Sequence, residues 1–115
     1  MLVTDATSAT DMPDGRYSLG GSAVEVVNGV CRDAEGRLAG STLTQEVALR
    51  NFVKWSEWPL EEALRGLTVN PARALKLEKK GVLEPGADAD VVIMNEEFRV
   101  MKTIVRGRIV FERDL

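Results

Sequence analysis

The chain opens with two apolar residues and a β-branched one, Leu2-Val3-Thr4, running straight into Asp5. That pattern predicts a short buried strand with a carboxylate at its C-terminal end, where parallel α/β folds carry their reacting groups. Taken alone, an aspartate there is more often an ordinary turn residue. Ala6 to Gly21 is rich in Thr, Ser, Asp, Gly and Pro and reads as a loop, with a turn at Met12-Pro13-Asp14-Gly15. From Ser22 to Arg32 apolar residues surround Asn28-Gly29, the dipeptide that best tolerates the two positive φ angles of a type I′ hairpin. The expected pairing is Ala23–Val27 with Val30–Arg32, followed by a second turn at Asp33-Ala34-Glu35-Gly36.

Helical patterns follow. Ser41 or Thr42 is placed to cap the first helix, and Gln45 stands three residues after Thr42, as in a capping box. Leu43, Val47, Leu49, Phe52, Val53 and Trp55 form a set broad enough to predict cover over much of the helix circumference. Ala39-Gly40, just before it, serves either helix entry or close approach of backbone amides to a ligand. Pro59 suits the first position of a second helix, with Glu61 and Glu62 at the positive end of its dipole. Those adjacent carboxylates point apart on a helix and read as a solvated turn, not an acid–base pair. Asn70-Pro71 caps a third short helix, Ala72 to Leu77. From Gly81 the pattern turns to strands: Val82-Leu83, a turn at Pro85-Gly86, a continuous buried strand Val91–Met94, and a hairpin around Arg106-Gly107.

Composition narrows the chemistry. A chain of 115 residues bounds one domain with a modest core, and 44% apolar with 29% charged residues is ordinary for a globular protein. The net charge of −3, with no block of like charges, gives no footprint for nucleic acid or an anionic membrane surface. The sequence shows neither a bilayer-spanning apolar run nor a signal-peptide pattern, so the expected location is cytoplasmic. Cys31, the single cysteine, fits a reducing compartment and reads as a packed thiol, since Arg32 is its only basic neighbour. There is no histidine. A His-based metal site, a Ser-His-Asp triad or a Cys-His pair therefore cannot be assembled from this chain alone.

Several stretches, taken in order, point to one family. Leu2-Val3-Thr4-Asp5-Ala6, Leu38-Ala39-Gly40-Ser41-Thr42-Leu43-Thr44, Arg50-Asn51, Asn70-Pro71-Ala72-Arg73 and Gly86-Ala87-Asp88-Ala89-Asp90-Val91-Val92 resemble the C-terminal part of N-acetylglucosamine-6-phosphate deacetylases of the amidohydrolase superfamily. The Gly-x-x-Ala-Asp end motif, with Lys102-Thr103-Ile104-Val105-x-Gly107, is shared across the superfamily. The Val-Thr-Asp-Ala and Leu-Ala-Gly-Ser pair narrows it to the deacetylases.

The resemblance implies an α/β fold: the C-terminal fragment of a metal-dependent (β/α)₈ barrel, which takes roughly 250 residues when whole, plus half of a small β-sandwich. Residues 1–80 would supply the last barrel strand, an inserted hairpin and outer helices, and residues 81–115 the C-terminal sandwich strands. The implied reaction is hydrolysis of N-acetylglucosamine 6-phosphate to glucosamine 6-phosphate and acetate. Asp5 falls on the catalytic aspartate, which takes a proton from metal-bound water and passes one to the departing amine. Leu38, Ala39 and Gly40 fall on a segment that contacts the sugar. The family's zinc or iron ligands, its carbonyl-polarising histidine and its phosphate-binding arginine lie on earlier strands. The isolated chain is therefore expected to hold no catalytic metal and to be inactive. Unpaired edges predict association, either with another copy or with the missing N-terminal part. The rival readings are a noncatalytic interaction domain of amidohydrolase descent and an amidohydrolase acting on a cyclic amide. The absent histidines favour the former for this chain alone, and the Leu-Ala-Gly-Ser segment speaks against the latter.

Overall fold

The Asn28-Gly29 dipeptide turns the chain with φ of 51° and 74°, and a three-stranded antiparallel sheet is built around it. The computed structural model describes residues 1–114. Within it, β1 (Gly15–Leu19), β2 (Ser22–Val27) and β3 (Val30–Asp33) run in the order β1-β2-β3. Val27 sits opposite Val30 and Val26 opposite Cys31, as the hairpin pattern predicts. Strand alternation turns Val24 and Val26 inward, where they meet Ala9 and Cys31, with Tyr17 and Ala39 packed against them. Cys31 is thus a packed core thiol. The Asp14 carboxylate accepts hydrogen bonds from the Asn28 and Gly29 amides and holds the turn in place.

β1 lies in the stretch expected to be loop. Its alternation is weak because only Gly15 and Tyr17 turn partly inward. The signal lay instead in Gly20-Gly21, with φ of 57° and 84°, a two-residue turn that sets Leu19 opposite Ser22. These elements belong to a unit spanning Val3–Ala48.

The opening segment corrects the expected strand. Leu2–Thr4 is not a strand, Val3 is 69% exposed, and pairing is limited to an isolated parallel bridge from Ala6 to Ser41. The positive φ of Asp5, 52°, interrupts the extended run before a ladder can form.

The second unit comprises Met1–Leu2 and the chain from Leu49 onward. The first helix, α1 (Gln45–Ser56), begins three residues after Thr42. Thr42 is therefore not its cap; its hydroxyl instead donates to the Gly29 carbonyl. Ala48 and Leu49 are buried and Glu46, Val47, Asn51, Phe52, Val53 and Ser56 half-buried, so cover extends over much of the circumference as expected, although Trp55 itself is 76% exposed. Next come α2 (Leu60–Leu64), with Pro59 as N-cap rather than first residue, and α3 (Val69–Ala74). α3 starts earlier than expected, with Thr68 as N-cap; Pro71 fits inside its first turn, where an amide proton is not needed. The Leu2 amide donates to the Gly66 carbonyl at 2.9 Å.

Val82-Leu83 does not form a strand. A second antiparallel sheet has the order β4 (Val91–Met94), β5 (Val100–Val105), β6 (Arg108–Glu112). β5 and β6 form the expected hairpin on Arg106-Gly107, with φ of 49° and 77°. β4 is not the fully buried strand that its sequence suggests: Val92 is 54% exposed and Ile93 46%. β6 is exposed at every position.

The Asp88-Ala89-Asp90 run fastens this sheet. Lys80 pairs with Asp88 at 2.9 Å and also with Asp90, whose other oxygen accepts from the Arg106 amide at 2.8 Å. The Ala89 carbonyl accepts from Gly107 at 2.9 Å. The Lys80 ammonium, and next the Arg106 amide, hold the Asp90 carboxyl below its ordinary 3.8, while the Asp90 and Asp88 carboxylates raise Lys80. A lowered carboxyl stabilises the fold above pH 3.8, and that contribution is lost as pH falls through the folded value.

Two measurements check these assignments. Val26→Ala, in the core, is expected to lose about 2 kcal/mol in urea unfolding followed by circular dichroism. Val27→Ala, 56% exposed, should stay within about 0.5 kcal/mol; equal losses would refute the inward assignment. Asp90→Asn keeps an acceptor for the Arg106 amide but removes the charge. Unfolding followed by the fluorescence of Trp55 and Trp58 should then show a shallower loss of stability on acidification, and an unchanged acid limb would contradict the Lys80 pairing.

Candidate functional site

Asp5 is exposed, in a left-handed conformation that aspartate tolerates better than most residues. Among the described residues no hydrogen bond or ion pair engages its carboxylate. Its backbone, by contrast, is tightly held. The Asp5 carbonyl accepts from the Ser41 amide at 2.7 Å, the Thr7 amide donates to the Ser41 carbonyl at 2.9 Å, and the Ser41 hydroxyl donates to the Thr4 carbonyl. Thr4 returns a local bond, its hydroxyl accepting from the Ala6 amide. The result is a fixed loop carrying a carboxylate with no internal partner, an arrangement suited to exchanging protons with a bound molecule.

The Leu38-Ala39-Gly40 segment lies alongside. Leu38 bridges Arg32 at the sheet edge and is largely exposed. The Ala39 amide donates to the Cys31 carbonyl at 3.0 Å, so it is spent within the fold. Gly40 has a φ of 64° and packs directly on the Asp5 loop. A Cβ there would sit 2.6 Å from the Thr7 methyl, 2.8 Å from the Asp5 carbonyl and 3.9 Å from an Asp5 carboxylate oxygen. The structure thus brings Asp5 and Gly40 together, with Ala39 tied into the core and Leu38 at the rim.

A depression of about 500 Å³ opens beside this loop, lined by Leu38, Gly40, Ser41, Thr44, Cys31 and Asp11 among others. Asp5 is not in its lining. The sequence pattern did not mark Ser41 as a site residue; it appeared as a helix cap and as the last residue of the Leu-Ala-Gly-Ser motif. The signal available was its place directly after Ala39-Gly40.

Among the described residues no three His, Cys, Asp or Glu side chains converge closely enough to hold a metal ion. With no histidine in the chain, a His-based metal site cannot be assembled from these residues alone. Among the described residues no helix is long and apolar enough to cross a membrane.

The sequence model of the amidohydrolase family matches residues 1–110. The N-acetylglucosamine-6-phosphate deacetylase of Vibrio furnissii is 41% identical over 112 residues, 96% of this chain and 28% of that protein. An N-acetylgalactosamine-6-phosphate deacetylase of Escherichia coli is 40% identical over 110 residues, 95% of this chain and 29% of that protein. The crystal structure of the Thermotoga maritima N-acetylglucosamine-6-phosphate deacetylase superposes with a TM-score of 0.90 at 37% identity, covering 96% of this chain and 31% of that one. The chain therefore spans somewhat over a quarter of the length of these relatives. By the extent of the family match, this chain belongs to the amidohydrolase family.

Proposed function

We propose that this chain is the C-terminal part of a deacetylase that hydrolyses N-acetylglucosamine 6-phosphate to glucosamine 6-phosphate and acetate. In this reading residues 1–80 complete a (β/α)₈ barrel, with Leu2–Thr4 gaining its neighbours from preceding strands, and residues 81–115 form half of a β-sandwich. The partner is the N-terminal polypeptide. Any catalytic metal is held by donors outside this chain.

The observation that carries the proposal is the Asp5 loop: an exposed carboxylate with no partner among the described residues, on a loop against which Gly40 packs too closely for any side chain. Asp5 takes a proton from the water that attacks the acetamide carbonyl. As the C–N bond breaks, it delivers a proton to the amine nitrogen, and acetate leaves. Leu38, Ala39 and Gly40 form the wall against which the sugar lies. A galactosamine relative of nearly equal identity makes the 4-epimer the natural second substrate to assay.

Acetate release from both epimers, with divalent metal present, tests this reading. The chain alone should be silent, and the chain mixed with the N-terminal polypeptide of a deacetylase should be active. Asp5→Asn should lower that activity by about 10²–10⁴-fold, the span of a lost general base. Turnover by the pure chain, or full activity in Asp5→Asn, would overturn it. Silence in both samples would favour the noncatalytic interaction domain.

Gly40→Ala forces both a positive φ and a collision with Thr7 and the Asp5 carbonyl. Gly21→Ala meets the φ penalty without a collision, since nothing lies within 4 Å. The first should therefore cost at least about 1 kcal/mol more than the second in chemical unfolding. Equal costs would mean that Gly40 does not pack on the loop as described.

A further inference from the structure

We infer that Ser41 is the positioning residue for Asp5; the inference rests on the reading of Asp5 as the proton-transfer group. Ser41 makes four hydrogen bonds, three of them to the residues flanking or including Asp5. Its amide donates to the Asp5 carbonyl (2.7 Å), its carbonyl accepts from the Thr7 amide (2.9 Å), and its hydroxyl donates to the Thr4 carbonyl. The same hydroxyl accepts from the Leu43 amide at 3.0 Å. Only a group that donates and accepts at one atom satisfies both of the latter bonds, which is what a hydroxyl supplies and a methyl does not.

The arrangement has a directional consequence. Asp5 sits at a φ of 52°, a conformation that persists only where its surroundings over-determine it. Ser41 supplies that determination from both sides, through Thr4 before Asp5 and Thr7 after it. Ala6 and Ser41 form the parallel bridge on which the loop turns. Removing the hydroxyl leaves the half-buried Thr4 carbonyl without its donor and the Leu43 amide without its acceptor. The loop then relaxes toward extended backbone, and the carboxylate swings away from Gly40. Ser41 acts through Asp5 and touches no reacting atom.

The test has two arms. In the first, NMR on the intact chain compares wild type with Ser41→Ala and Ser41→Thr. In Ser41→Ala the Thr7 and Ser41 amides should exchange at least about tenfold faster, and the Asp5 HN–Hα coupling should move off its left-handed value. The cross-strand contacts of β1–β3 should stay unchanged. Ser41→Thr, which keeps the hydroxyl, should restore both readouts. If Ser41→Ala unfolds the unit, Ser41→Cys, of similar size but a weak donor, carries the comparison. Unaltered Asp5 coupling and amide exchange in the folded variant would overturn the inference whatever Asp5 does in catalysis.

In the second arm, the mixture with the N-terminal polypeptide is assayed. Ser41→Ala should lower kcat by about 10–100-fold, the scale of a misplaced reacting group, with KM changed less than twofold and with recovery in Ser41→Thr. A loss confined to KM would overturn the inference. Retained activity in Asp5→Asn would overturn the catalytic reading instead, leaving the first arm to decide whether Ser41 holds the loop.

Discussion

The bridge between Ala6 and Ser41 is the constraint on which the site-bearing unit depends. It closes a loop of 34 intervening residues, an entropic cost that grows only slowly with length and that the enclosed β1–β2–β3 sheet offsets. The sheet brings the ends of that loop together: β3 delivers Cys31, whose carbonyl captures the Ala39 amide, and one turn later Ser41 meets the Asp5 loop. Packing of Ala9, Val24, Val26 and Cys31 thus has a consequence at the surface, since it fixes where the Leu38–Ser41 segment can run.

The second unit follows a different logic. Its sheet has few buried side chains, and its exposed residues include Val92, Ile93, Ile109, Val110 and Phe111. Polar fastening substitutes for packing there. Lys80 joins Asp88 and Asp90, Asp90 reaches the β5–β6 turn, and Lys102 pairs with Glu112 across the same hairpin at 2.6 Å. Such bonds set the register of strands but do little to cover apolar faces. An apolar edge strand of this kind accepts a partner readily, which agrees with the proposed pairing with an N-terminal polypeptide.

The parts of the fold that local chemistry decides were legible in the sequence. Asn28-Gly29 and Arg106-Gly107 each take two positive φ angles, eased by the glycine, and both hairpins form where the dipeptides stand. The elements that depend on distant partners were not. Leu2–Thr4 has the composition of a buried strand, yet a strand needs a ladder, and within the chain Ser41 offers one bridge. Val91–Met94 reads as buried on both faces because its residues are uniformly apolar, but periodicity carries no information on what covers them. β1 was hidden by polar composition, although Gly20-Gly21 marks its turn. At the site, Asp5 and Gly40 were marked by pattern, as a carboxylate ending a strand-like run and as a small residue suited to close approach, but each had an ordinary alternative that only the family resemblance outweighed. Ser41 was obscured because a serine before a helix reads first as a cap, while its actual bonds reach back 37 residues to Thr4.

The most direct measurement is a replacement. The chain is fused in place of the matching C-terminal segment of the Vibrio furnissii deacetylase, and kcat/KM for N-acetylglucosamine 6-phosphate is determined in the folded chimera. Activity within about a hundredfold of the parent, abolished by Asp5→Asn, is the result this account predicts; at 1.4 kcal/mol per tenfold, that margin allows under 3 kcal/mol for imperfect packing at the new junction. A folded, metal-loaded chimera without activity, or one whose activity survives Asp5→Asn, would contradict it.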